Sequence, residues 1–152
     1  MRIFIFLHVI TMFSAVALSG GSEIFLLQIA KTRNAPAIRT AFDVHTRLVR
    51  FIPVLFLVGL AFGLIAMIVH QFNPFAPWLL LAYPLFVAGI LTGALGIGPW
   101  ADRVREAAAA SGDATSADLE AAISNPRGRY AQMAFWLVTA AIVFVMVVKP
   151  LA

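Results

Sequence analysis

Long apolar runs separated by short clusters of charge make up most of the chain, and the first run, Ile3 to Ser22, contains no charged residue. At about 1.5 Å per helical residue, a run of that length matches the roughly 30 Å hydrocarbon layer of a bilayer. Phe25-Leu26-Leu27-Gln28-Ile29-Ala30 offers no breaker, so this helix is expected to continue past Glu23. Between Phe51 and Trp100 there is no Asp, Glu, Lys or Arg, and the turn Gln71-Phe72-Asn73-Pro74-Phe75-Ala76-Pro77 divides that stretch into two helices. A last run leads from Tyr130 to Lys149-Pro150. The pattern predicts an all-α, four-span, up-and-down bundle with spans at about 3–30, 48–71, 77–100 and 129–149 and a loop at about 101–128. The first apolar run is too long and too continuous for a cleaved signal peptide, and a retained span is expected.

Composition agrees with a bilayer as the main solvent. Of 152 residues, 62% are hydrophobic and 12% charged, which leaves too little polar surface for a soluble fold and excludes a soluble enzyme. There is no cysteine, so disulfides, iron–sulfur clusters, thiolate zinc sites, covalently attached haem and thiol nucleophiles are excluded. The net charge of +4 is not gathered into one patch, and nucleic acid is not an expected partner. Lys31, Arg33, Arg39, Arg47 and Arg50 lie in one inter-helix segment and Arg103, Arg105, Arg127 and Arg129 in another, while Arg2 and Lys149 lie on the opposite side. The positive-inside rule then places both basic loops in the cytoplasm and both termini outside. Trp78 and Tyr83 at one surface, with Trp100 and Tyr130 at the other, suit interfacial belts.

Residues 101–124 read as a solvated hairpin. Asp102 to Ala110 extends the third helix, and Thr115-Ser116-Ala117-Asp118 resembles a capping box opening a short helix. Inside the bilayer, association depends on close packing of small residues. Gly59, Gly63 and Ala66 share one face of the second span, Gly89, Gly93 and Gly96 one face of the third, and Ala15, Ser19 and Ser22 one face of the first. These faces are expected to pack the bundle, with a homo-oligomer or larger membrane complex as the alternative use. Pro53 and Pro84 are expected to kink or tilt their helices.

Ionisable groups at membrane depth are expensive and tend to mark function. His8 lies 23 residues before Lys31 and His70 lies 23 residues after Arg47, so both are expected about 34 Å from one charge level. Two inward imidazoles at one height could ligate a haem b as axial iron ligands, with glycines leaving room for the macrocycle. The simpler reading has His70 meeting water beside Gln71 and His8 hydrogen-bonding a neighbouring helix. A zinc site would lack a third protein ligand. Glu23 sits at the edge of the hydrocarbon, where a snorkelling Glu23–Arg50 pair is the plainer expectation and a proton or cation step in a transport path the sharper one. No second carboxylate occurs within a span, and Asp43 and His45 are expected to be solvent-exposed. No phosphate loop, serine-nucleophile or zincin motif is present.

Phe6-Leu7-His8-Val9, the cluster Ser19-Gly20-Gly21, Trp136 and the ending Val145-Met146-Val147-Val148-Lys149-Pro150 together resemble a family of predicted bacterial four-helix integral membrane proteins of unknown function. More loosely, the chain is similar to copper-resistance D-type and HemJ-like membrane proteins, which carry a histidine near the start of the first helix, matched by His8. HemJ-like proteins are associated with haem and porphyrinogen oxidation. The chain has Val16-Ala17-Leu18 where those groups commonly have a Trp before the small-residue cluster. The resemblance implies a bacterial inner membrane and a haem-binding redox role; a cofactor-free structural or accessory subunit and a small transporter are the alternatives.

Overall fold

A computed structural model describes residues 2–150. It is all-α, and the described residues form seven α-helices and one π-helical stretch with no strand. α1 (Ile3–Lys31) is the longest continuous helix. It ends at a tight turn in which Arg33 takes a left-handed φ of 54° and the Asn34 side chain accepts from the Ala37 backbone N–H, opening α2 (Ala35–Val49). A break at Arg50–Phe51 separates α2 from α3 (Ile52–Val69). Pro53 lies in the first turn of α3, where a missing N–H costs nothing, and it marks a break inside the apolar segment Ala35–Val69.

After the turn containing Gln71 (φ 52°), α4 (Pro77–Leu91) runs back and widens into a π-helical stretch, Thr92–Ile97, before α5 (Gly98–Ala110). Pro99 explains the widening, because it has no N–H to offer the carbonyl of Leu95 one turn earlier. The Gly98 N–H reaches Gly93 O instead, and Arg127 donates its Nη2 to the freed Leu95 oxygen. α6 (Ala117–Ser124) is capped by the Ser116 hydroxyl, and α7 (Arg127–Val148) completes the bundle.

Four helical segments, Ile3–Lys31, Ala35–Val69, Pro77–Ala110 and Ala117–Val148, are long and apolar enough to cross a membrane. Only 17% of the most apolar window is buried in the first and 11% in each of the others, so most apolar side chains face outward, as contact with lipid requires. The chain is therefore a small multi-pass integral membrane protein.

α1 lies along α3, and α4 with the π-helical stretch lies along α7. The pairs meet where Gly20 of α1 passes beneath the Trp136 ring of α7; a Cβ on Gly20 would come within 2.5 Å of that indole. The best-buried part of the molecule is at the basic end. There Leu26, Ile38, Phe42, Val104 and Leu119 are each fully buried, and Phe42 meets Trp100 edge-on at 5.8 Å between ring centroids. The segment read as a solvated hairpin is thus docked. Leu119 enters this core, and Arg39 donates to the carbonyl oxygens of Ala108, Ser111 and Gly112 at the end of α5.

Candidate functional site

The glycine face of α3 receives side chains from α1 and leaves no open slot. Met12 fills the space over Gly59, and His8 lies against Gly63, where an added Cβ would be 2.8 Å from its Nδ1. That nitrogen is 2.7 Å from the carbonyl oxygen of Gly59. A carbonyl only accepts, so Nδ1 carries the proton in this bond and the lone pair of a neutral imidazole lies on Nε2.

His70 is elsewhere. It caps the end of α3, half-buried, with its ring stacked on Phe72 at 5.7 Å. Seven residues separate it from Gly63, or about 10 Å of helix axis. The shared height expected from counting residues to the basic loops is therefore corrected: His8 is level with Gly59 and Gly63. The count took Arg47 as level with Lys31, whereas Lys31 stands beside the apex of the turn at Arg33 and Arg47 lies fourteen residues, about 21 Å, up α2. The room reserved for a macrocycle beside those glycines is taken by Met12 and His8 themselves. The two imidazoles are therefore not level with each other across the α1–α3 contact.

Glu23 presents a different picture. It is buried, with 7% of its surface exposed, midway along the face of α1 that also buries Ser19 and Leu26. One carboxyl oxygen accepts the Ser19 hydroxyl at 2.9 Å; the other, Oε2, is buried and has no hydrogen-bond partner among the described residues. The expected Glu23–Arg50 pair does not form. Arg50 is exposed, turns its Nε back to Arg47 O at 2.9 Å and lies over the Phe51 ring. Among the described residues, the ion pairs are Arg33–Glu120 and Arg105–Asp102, both at the basic end.

His45, expected at a solvated helix mouth, is 8% exposed and its Nδ1 has no partner among the described residues. The missed signal was the period of α2, because Ala35, Ile38, Ala41, Phe42 and His45 form one helical face. Asp43 is exposed, as expected. Among the described residues, no three His, Asp or Glu side chains converge to hold a metal ion. No family model, curated protein or solved structure matches the chain.

Proposed function

We propose that this chain is a small transporter of the inner (cytoplasmic) membrane in which Glu23 carries a proton. The observation that supports this reading is the Glu23 carboxyl itself, which lies within an apolar span, is held on one oxygen by Ser19, and has no basic partner. A carboxyl whose only task was structural would be expected to pair with a cation or to spend both oxygens on hydrogen bonds. The distribution of Lys and Arg supports an orientation with the basic end in the cytoplasm and both termini outside. Proteoliposomes loaded with a pH-sensitive dye test the reading: Glu23→Gln abolishes proton flux while the folded protein is retained. Unchanged flux, or no flux from the unaltered chain, returns the molecule to a cofactor-free structural or accessory subunit.

A second reading rests on His8. Its Nδ1–H on the Gly59 carbonyl leaves Nε2 as the free ligand atom, the arrangement that metal-binding histidines adopt. It supports a haem b or metal bound through His8 from this chain, outside the filled glycine face of α3. A Soret band lost in His8→Ala and kept in His70→Ala would favour it, and no band after expression with haem supply would remove it.

A further inference from the structure

Glu23 is not alone at its level. Counted along the chain from the apex at Arg33, Glu23 lies ten residues back on α1 and His45 twelve residues on along α2, about 15 and 18 Å up two adjacent antiparallel helices. Each sits one turn beyond a member of the apolar core: Glu23 follows Leu26, and His45 follows Phe42, in the direction away from the basic end. On α7, Gly128 lies against the Trp100 ring and Trp136 against Gly20, which puts Gln132, four residues from each, on the same turn as Glu23. Glu23 Oε2, His45 Nδ1, Gln132 Nε2 and Trp100 Nε1 are all buried without a hydrogen-bond partner among the described residues. Such groups are costly to leave bare, and these stand on α1, α2, α5 and α7 at about one level of the bundle.

We infer that Glu23, His45 and Gln132, with the Trp100 indole as floor, enclose one hydrated chamber, and that His45 is the second proton-bearing residue of the Glu23 site. The inference rests on the reading of Glu23 given above. The ligand is water: the indole and amide N–H groups donate to it, and it bridges the imidazole to the carboxylate. A protonated His45 passes its Nδ1 proton through this water to the Glu23 carboxylate, which leaves a neutral imidazole and a carboxylic acid; the reverse step restores the pair. Asp43 and Arg47 of α2 are exposed, Arg105 of α5, whose buried Nε also lacks a partner among the described residues, lies a turn below Trp100, and between Arg129 and Lys149 α7 contributes the exposed Tyr130, so the exchange is between Glu23 and His45. This supplies the second relay member that the spans lack among carboxylates.

Water-edited solid-state NMR of the labelled full chain in lipid bilayers tests the chamber. Magnetisation from water is expected to reach the Glu23 carboxyl and the His45 ring as fast as it reaches exposed Glu106, and to bypass Leu26 and Ile38. Glu23 and His45 as dry as Leu26 would overturn the inference. Because the chain has no cysteine, the pair Glu23→Cys and His45→Cys can be joined by a short thiol-reactive linker without background, and failure to join in a folded protein would also overturn it. A dry chamber with Glu23-dependent flux sinks this inference alone; a wet chamber without such flux sinks the transport reading and leaves a structural water site.

Discussion

His8 donates from Nδ1 to the carbonyl oxygen of Gly59 across the α1–α3 contact, at 2.7 Å. The approach is possible because α3 presents glycine at both 59 and 63, one turn apart, where any side chain would occupy the space of the imidazole or of Met12. Helix association in lipid relies on this kind of close fit, since apolar surface gains little by leaving an apolar solvent.

Gly63→Ala is expected to destabilise the α1–α3 pair by about 1–3 kcal/mol, because its Cβ would meet the hydrogen-bonded His8 ring. Gly59→Ala should cost less, as the facing Met12 side chain is flexible. Thermal unfolding in detergent ranks the two, and equal midpoints would contradict the packing described.

Gly96→Ala should be more damaging than Gly20→Ala. At Gly96 the obstacle is the Cβ of Ala131, 2.5 Å away, which cannot rotate aside; at Gly20 it is the rim of Trp136, a ring with 39% exposure that can swing toward lipid. Gly21 and Gly93 have no neighbour within 4 Å of an added Cβ, and alanine there should be tolerated. Gly21→Ala should gain up to about 1 kcal/mol of helix propensity. Expression level and unfolding midpoint of the four variants check the order.

Arg39→Ala removes the donor to Ala108, Ser111 and Gly112 and is expected to cost about 1–3 kcal/mol. Limited proteolysis is then expected to cut the variant between α5 and α6 faster than the unaltered protein. Arg33→Gln breaks an exposed ion pair to Glu120 worth less than about 1 kcal/mol and should leave the digestion pattern unchanged.

The fold was largely legible. Uncharged runs set the four spans, and the turn at Gln71–Pro77 set the division between the middle two. What residue counting missed was local. Arg47 stands about 21 Å up α2 from the apex at Arg33 and not level with Lys31, so His70 lies beyond His8 along α3, and Pro99 forced a π-helical stretch that no apolar pattern records. The basic-end core was overlooked because Leu119 and Ile123 look like a narrow stripe until Trp100, Phe42 and Ile38 are brought against them by the hairpin. The same omission hid His45, whose burial depends on α2 folding back beside α1.

Glu23→Leu separates function from stability. The leucine removes a buried carboxyl at similar volume, which offsets the loss of its bonds to Ser19 and to the chamber water, so the unfolding midpoint should change little while proton flux is lost. A fall of both together would mean that Glu23 serves the fold.

The most direct test is infrared difference spectroscopy of the lipid-reconstituted chain across a pH jump. A carboxylic-acid C=O band should appear and vanish reversibly in the unaltered protein and be absent in Glu23→Gln, because Glu23 is the buried carboxyl of the spans. A band that survives Glu23→Gln unchanged, or a spectrum in which no carboxyl responds to the jump, would contradict proton carriage by Glu23.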